Sequence, residues 1–112
     1  MKSLDTTAKQ IHATARNKGF WDSFVDDDPF TFYAKQLAMI HSEVTEVLEA
    51  IRKDQGEEKV VEEIADIIIR VLDFYEGLKV TGEISEDQSL DKVLTNKSLI
   101  NQRRPHRHGV RG

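Results

Sequence analysis

Residues 60–75 read Val60-Val61-Glu62-Glu63-Ile64-Ala65-Asp66-Ile67-Ile68-Ile69-Arg70-Val71-Leu72-Asp73-Phe74-Tyr75. Turned at 100° per residue, the apolar side chains cover well over half the circumference of a helix. The polar ones, Glu62, Glu63, Asp66, Arg70 and Asp73, gather in one narrow strip. A half-buried strand would alternate with a period of two, and no part of the chain does so. A helix this apolar has to be covered on more than one side, within a bundle or by another subunit. The fold expected is therefore all-α: a four-helix-bundle-like domain, completed by homo-oligomerisation as a homodimer or a dimer of dimers. The polar strip is mostly acidic, and like charges at i, i+3 and i+4 repel, so something cationic should compensate them.

The other helices follow from their punctuation. The spacing predicts a first helix over about Thr6 to Lys18, stopped by Gly19. After the connector Gly19-Phe20-Trp21-Asp22, Asp28 caps and Pro29 starts a second helix reaching about Lys53. Asp54-Gln55-Gly56 is a turn, and the helix containing the quoted stretch is expected over Glu57 to Glu76, ending at Gly77. Ser85 and Gln88 form a capping box for a shorter fourth helix to about Ile100. Pro105 and two glycines make the end irregular. The 112 residues thus form a single domain, 1–112, with a basic tail over 101–112.

Composition narrows the function classes. The absence of cysteine excludes disulfides and thiolate metal sites. No apolar run is long enough to span a membrane and the first residues lack a signal-peptide core, so a cytoplasmic location is expected. The net charge of −4 is unevenly distributed. Residues 97–112 contain Lys97, Arg103, Arg104, Arg107 and Arg111 and no acid, giving +5 against −9 for the preceding residues. A nucleic-acid binder would carry its positive charge on the body, so no stable nucleic-acid binding is expected.

On the second helix, Leu37, Ile40, Val44, Val47, Leu48 and Ile51 form the main apolar stripe, with Glu43 and Glu46 at its edge. Glu43-x-x-Glu46 and Glu63-x-x-Asp66 each put two carboxylates one turn apart on one helix face. Neighbouring helices joined by a short turn run antiparallel, so the two pairs can oppose each other. One such pair is commonplace on a solvated helix; two of them, both bordered by core residues, point to a hard-oxygen site suited to Mg²⁺ or Mn²⁺. A di-iron bundle needs Glu-x-x-His, which is absent, and a zinc site lacks its nitrogen and sulfur ligands.

These two segments, His41-Ser42-Glu43-Val44-Thr45-Glu46-Val47-Leu48-Glu49-Ala50-Ile51-Arg52 and Glu62-Glu63-Ile64-Ala65-Asp66-Ile67, resemble the signature of the all-α nucleotide pyrophosphohydrolases, the MazG-like group. Lys18-Gly19-Phe20-Trp21 and the stretch Lys97 to His108 resemble its small single-domain members, so the likeness spans about residues 7 to 110. It implies hydrolysis of a nucleoside triphosphate to monophosphate and pyrophosphate, water attacking the α-phosphorus. Glu43, Glu46, Glu63 and Asp66 are then the metal ligands and catalytic acids, with Mg²⁺ (or Mn²⁺) between them and the phosphates. Ser42 stands where some relatives carry an additional acid, so the general base, a motif glutamate or Glu62, stays open.

Lys97, Arg104 and Arg107 are candidates for the β- and γ-phosphates, Asn101 for phosphate or sugar, and Lys35 for a further phosphate contact. Trp21 is a candidate for stacking on a base or for filling the core, and Phe20 is assigned to the core. His12 and His41 carry no motif, and His106 and His108 are phosphate or backbone contacts rather than metal ligands. The competing readings are a related all-α enzyme, a dUTPase or a phosphoribosyl-ATP pyrophosphatase, and a non-enzymatic helical dimerisation or nucleic-acid-binding module. The likeness leaves base, sugar and biological purpose open.

Overall fold

A computed structural model describes residues 2–105. Every regular element among them is helical: α1 Leu4–Asn17, α2 Pro29–Arg52, α3 Glu57–Val80 and α4 Leu90–Arg103, with a single 3₁₀ turn at Asp22–Val25. Ser3, Asp28 and Ser89 cap α1, α2 and α4 by accepting from the backbone N–H of Thr6, Thr31 and Lys92. α3 is central, packing on α2 along one side and α1 along the other.

Two boundaries differ from the sequence expectation. The third helix does not stop at Gly77 but runs on to Val80, with Gly82 in the left-handed conformation just beyond it. Gly77 is interior because the Trp21 indole lies directly on it: a Cβ there would overlap the ring carbons Cη2 and Cζ2. The fourth helix begins at Leu90, capped by Ser89, whereas Ser85 accepts from Asp87 N–H within the preceding turn.

Phe20, expected in the core, lies outside it, and Trp21, open between stacking and core, is inside. Trp21 is buried among Ala15 and Phe32, with Phe24 and Tyr33 around them, whereas Phe20 is 61% exposed. The indole Nε1–H reaches both oxygens of Asp73 at 3.0 and 3.1 Å, and His12 Nδ1 lies 2.7 Å from the nearer one. His12, a residue with no motif, is thus a buried part of the core, its ring edge-on to Trp21 at 4.8 Å. One carboxylate on α3 ties down both α1 and the connector.

The starts of α1 and α4 cap each other. Asp91 accepts from the backbone N–H groups of Leu4 and Asp5. Asp5 accepts from Ser89 Oγ, Tyr75 Oη and Leu90 N–H. Burial opposes ionisation of Asp5, but these three donors outweigh it and hold the carboxyl well below the usual range.

The apolar stripe of α2 is only half covered. Phe32, Ile40, Val47 and Ala50 are buried or half-buried, while Leu37, Val44, Leu48 and Ile51 are exposed. On α3, Val61, Ile64, Ile68 and Val71 are exposed as well. The α2–α3 hairpin has turned its acidic edge, not its most apolar line, into the intramolecular contact.

Gly77→Ala tests the indole seat. Alanine favours a helix interior over glycine by about 0.5–1 kcal/mol, yet overlap with Trp21 should make this change destabilising by about 1–3 kcal/mol. The expected outcome is a lower urea midpoint; an unchanged or raised midpoint would mean the indole does not rest on Gly77.

Candidate active site

Antiparallel α2 and α3 bring the two acidic pairs together. Glu43, Glu63 and Asp66 each offer an oxygen within 4.8 Å of the others. Glu63 is buried and Glu43 and Asp66 are half-buried, so three carboxylates share a poorly hydrated space. Glu46 lies beside this group, more exposed, and its charge reaches Glu63. Burial, partly offset by Lys59, raises the Glu63 carboxyl above its ordinary 4.5, and the neighbouring Asp66 and Glu46 carboxylates raise it further. Glu62 is exposed and paired with Lys59 at 3.5 Å.

Hard oxygens at this spacing fit a small divalent cation. Glu63, buried among like charges, lacks any compensating cation of its own apart from Lys59. The other positive group on the cluster is Arg70, whose Nε donates to Glu43 Oε1 at 2.9 Å.

A cavity of about 520 Å³ opens from the cluster toward α1. Glu43, Asp66 and Arg70 line one end. The opposite wall is α1, with Gln10, Thr14 and Lys18, and the exposed Phe20 stands at the rim. Asp73 also lines the cavity, so the tether that holds α1 in place lies in the wall it builds. None of these α1 residues carries a recognisable motif; contacts distant in sequence, the His12–Asp73 pairing among them, bring them to the acids.

The remaining sequence candidates are placed elsewhere in the single chain. Lys35 is paired with Asp27 at 3.1 Å and lies eight residues, about 12 Å along the helix axis, from Glu43. Lys97, Asn101 and Arg104 are exposed on or just after α4, which packs chiefly on α1, and none lines the cavity. Trp21, considered for base stacking, is in the core with its ring faces covered, so the exposed aromatic at the cavity is Phe20 instead. Arg107, with His106 and His108, lies outside the described residues.

Comparison with known proteins returns one family. The profile described as MazG nucleotide pyrophosphohydrolase domain matches residues 33–108, about two thirds of the chain and all four acids. No curated protein and no solved structure gives a significant match.

The raised Glu63 carboxyl has a pH signature. A carboxyl raised on folding favours the protonated protein, so the cost of ionising it appears as pH rises through the folded value and is absent well below 4.5. In EDTA at neutral pH, Glu63→Gln should therefore be more stable than the parent chain, with the difference closing in acid. A divalent cation that the cluster binds should reverse the order, because the substitution removes one of its carboxylates. Urea midpoints at both pH values, with and without metal, check this; equal midpoints in EDTA at neutral pH would remove the claim of a charge-strained site.

Proposed function

Because the chain belongs to the MazG nucleotide pyrophosphohydrolase family, we propose that it hydrolyses a nucleoside triphosphate, a deoxynucleotide by family analogy, to the monophosphate and pyrophosphate. The observation that carries this reading is the group of three converging carboxylates, two of which, Glu43 and Asp66, line a nucleotide-sized cavity. Glu43, Glu63 and Asp66, with Glu46 beside them, would hold Mg²⁺ or Mn²⁺. When bound, the metal supplies charge neutralisation at the phosphate oxygens and a more acidic water.

The residues of the chain divide the remaining work by position. The acidic end of the cavity orients the triphosphate so that water adds to the α-phosphorus as the bond to the β-phosphate oxygen breaks. The water proton passes to a motif carboxylate; Glu62, exposed, outside the group of converging acids and paired with Lys59, is the less favourable base. The α1 wall and Phe20 take the nucleoside, an aromatic face being available there for a base.

The exposed apolar lines of α2 and α3 support a homodimer or dimer of dimers. In that assembly the partner's α4 is the route by which Lys97, Asn101 and Arg104 reach a phosphate chain, since none of the three lines the cavity of its own chain. No described helix is long and apolar enough to cross a membrane, and the cytoplasm is the compartment that supplies the substrate.

Two measurements test the reading. Products from a panel of canonical and modified nucleoside triphosphates, with Mg²⁺ and with EDTA, should be monophosphate and pyrophosphate, lost in Glu46→Gln and Asp66→Asn. Diphosphate plus phosphate would keep the metal site and overturn attack at the α-phosphorus. Light scattering at micromolar protein should give a mass of two or four chains, with Leu48→Glu and Ile68→Glu shifting it toward one. A single-chain mass for the parent would remove the assembly from the argument.

A further inference from the structure

Arg70 has no place in the two acidic motifs, yet it is hydrogen-bonded to one of their converging carboxylates. It sits one turn after Asp66 on the same face of α3 and reaches across to α2. Its Nε donates to Glu43, one of the three carboxylates grouped within 4.8 Å. Its terminal nitrogens have no hydrogen-bond partner among the described residues, its side chain is 35% exposed, and it lines the cavity. An arginine kept only for structure would spend its fork on the carboxylate; this one makes a single Nε contact and leaves most of its donors directed elsewhere.

The pairing also sets up a competition. Glu43 cannot give the same oxygen to a divalent cation and to a guanidinium, and a fixed positive charge beside a metal site opposes metal binding. Bringing in a metal together with a polyphosphate changes that balance: the carboxylate gains a stronger partner, and the guanidinium gains oxygens suited to its geometry.

We propose that Arg70 is a substrate-contacting residue that serves as the counter-ion of Glu43 in the metal-free protein and as a phosphate ligand in the loaded one. It would exchange the Glu43 carboxylate for a phosphate oxygen at the acidic end of the cavity. This deepens the pyrophosphohydrolase reading and rests on it. The consequence is a pair of effects with opposite signs: Arg70 weakens metal binding by the nucleotide-free protein and strengthens binding and turnover of the phosphate chain.

The test compares the parent chain with Arg70→Gln and Arg70→Lys in three measurements. Mn²⁺ affinity of the nucleotide-free protein is read by calorimetry, pyrophosphate affinity of the Mn²⁺-loaded protein likewise, and kcat/KM is taken on the best nucleotide of the panel. In Arg70→Gln, Mn²⁺ should bind several-fold more tightly, while pyrophosphate affinity falls and kcat/KM drops by about 10²–10³, the size of losing one preorganised donor. Arg70→Lys, which keeps the charge but not the fork, should leave Mn²⁺ affinity near that of the parent and recover only part of the turnover. Loss of both Mn²⁺ and pyrophosphate affinity in Arg70→Gln would make Arg70 a positioning residue for Glu43 and overturn the proposal. Tighter Mn²⁺ with unchanged pyrophosphate affinity would make it a bystander and overturn it equally. Should Arg70→Gln not fold, by circular dichroism, Arg70→Lys decides: parental pyrophosphate affinity and turnover would sink the idea. A parent chain that turns over no nucleotide is a failure of the family-level reaction instead, and the two binding measurements still judge Arg70.

Discussion

The wall facing the acids is pinned at one buried carboxylate. Asp73 receives the Trp21 indole and the His12 ring from two different segments, so a single position on α3 sets where α1 and the connector lie. A buried charge without donors would cost several kcal/mol; with both donors present it is satisfied only when α1 is docked. The docked α1 is what turns a strip of acids into one end of a cavity. The tether is independent of the acids it serves, so a change in the motif carboxylates need not disturb the wall opposite them.

The α2–α3 hairpin carries the opposing tension. Its contact includes acids that repel, and it leaves Leu48, Ile51, Val61 and Ile68 outside. A chain optimised for solitary stability would rotate both helices to bury those side chains and expose the acids. That it does not do so is intelligible if the outer line is covered by another chain and the inner one by cations. The two departures from a simple amphipathic pattern thus have a single origin: each helix has two faces to satisfy, and one chain satisfies only one.

Periodicity and capping made most of the fold legible. Asp28-Pro29, the Asp54-Gln55-Gly56 turn and the apolar pattern placed three helices, and the all-α class followed. The errors came where a local signal was outvoted by a contact distant in sequence. Gly77 reads as a helix stop but is a seat for Trp21, which the 3₁₀ turn and α2 separate from α3 in the chain. Ser85 with Gln88 reads as the capping box, but the helix starts after Ser89, whose hydroxyl donates to Asp5. Phe20 and Trp21 are adjacent aromatics, and only the nitrogen of the indole, matched to Asp73, tells which one goes inside. At the site, the converging acids were readable because metal-ligand spacing is a local property. The α1 wall was not, since Gln10, Thr14 and Lys18 mean nothing until something docks them. Nor was Arg70, which reads as one more polar residue in a strip until its reach to Glu43 is seen.

The contact between the Trp21 indole and Gly77 has a meaning for how such a chain can change over generations. A ring resting on bare backbone leaves no room for gradual enlargement at the glycine, and a smaller ring would leave both a void and an Asp73 carboxylate short of a donor. Neither position can drift first without a weakened intermediate, so the two should persist or disappear together among relatives. Positions 21 and 77 lie on opposite sides of the acidic motifs in the chain, and their shared fate would bind the evolution of the N-terminal connector to that of the third helix.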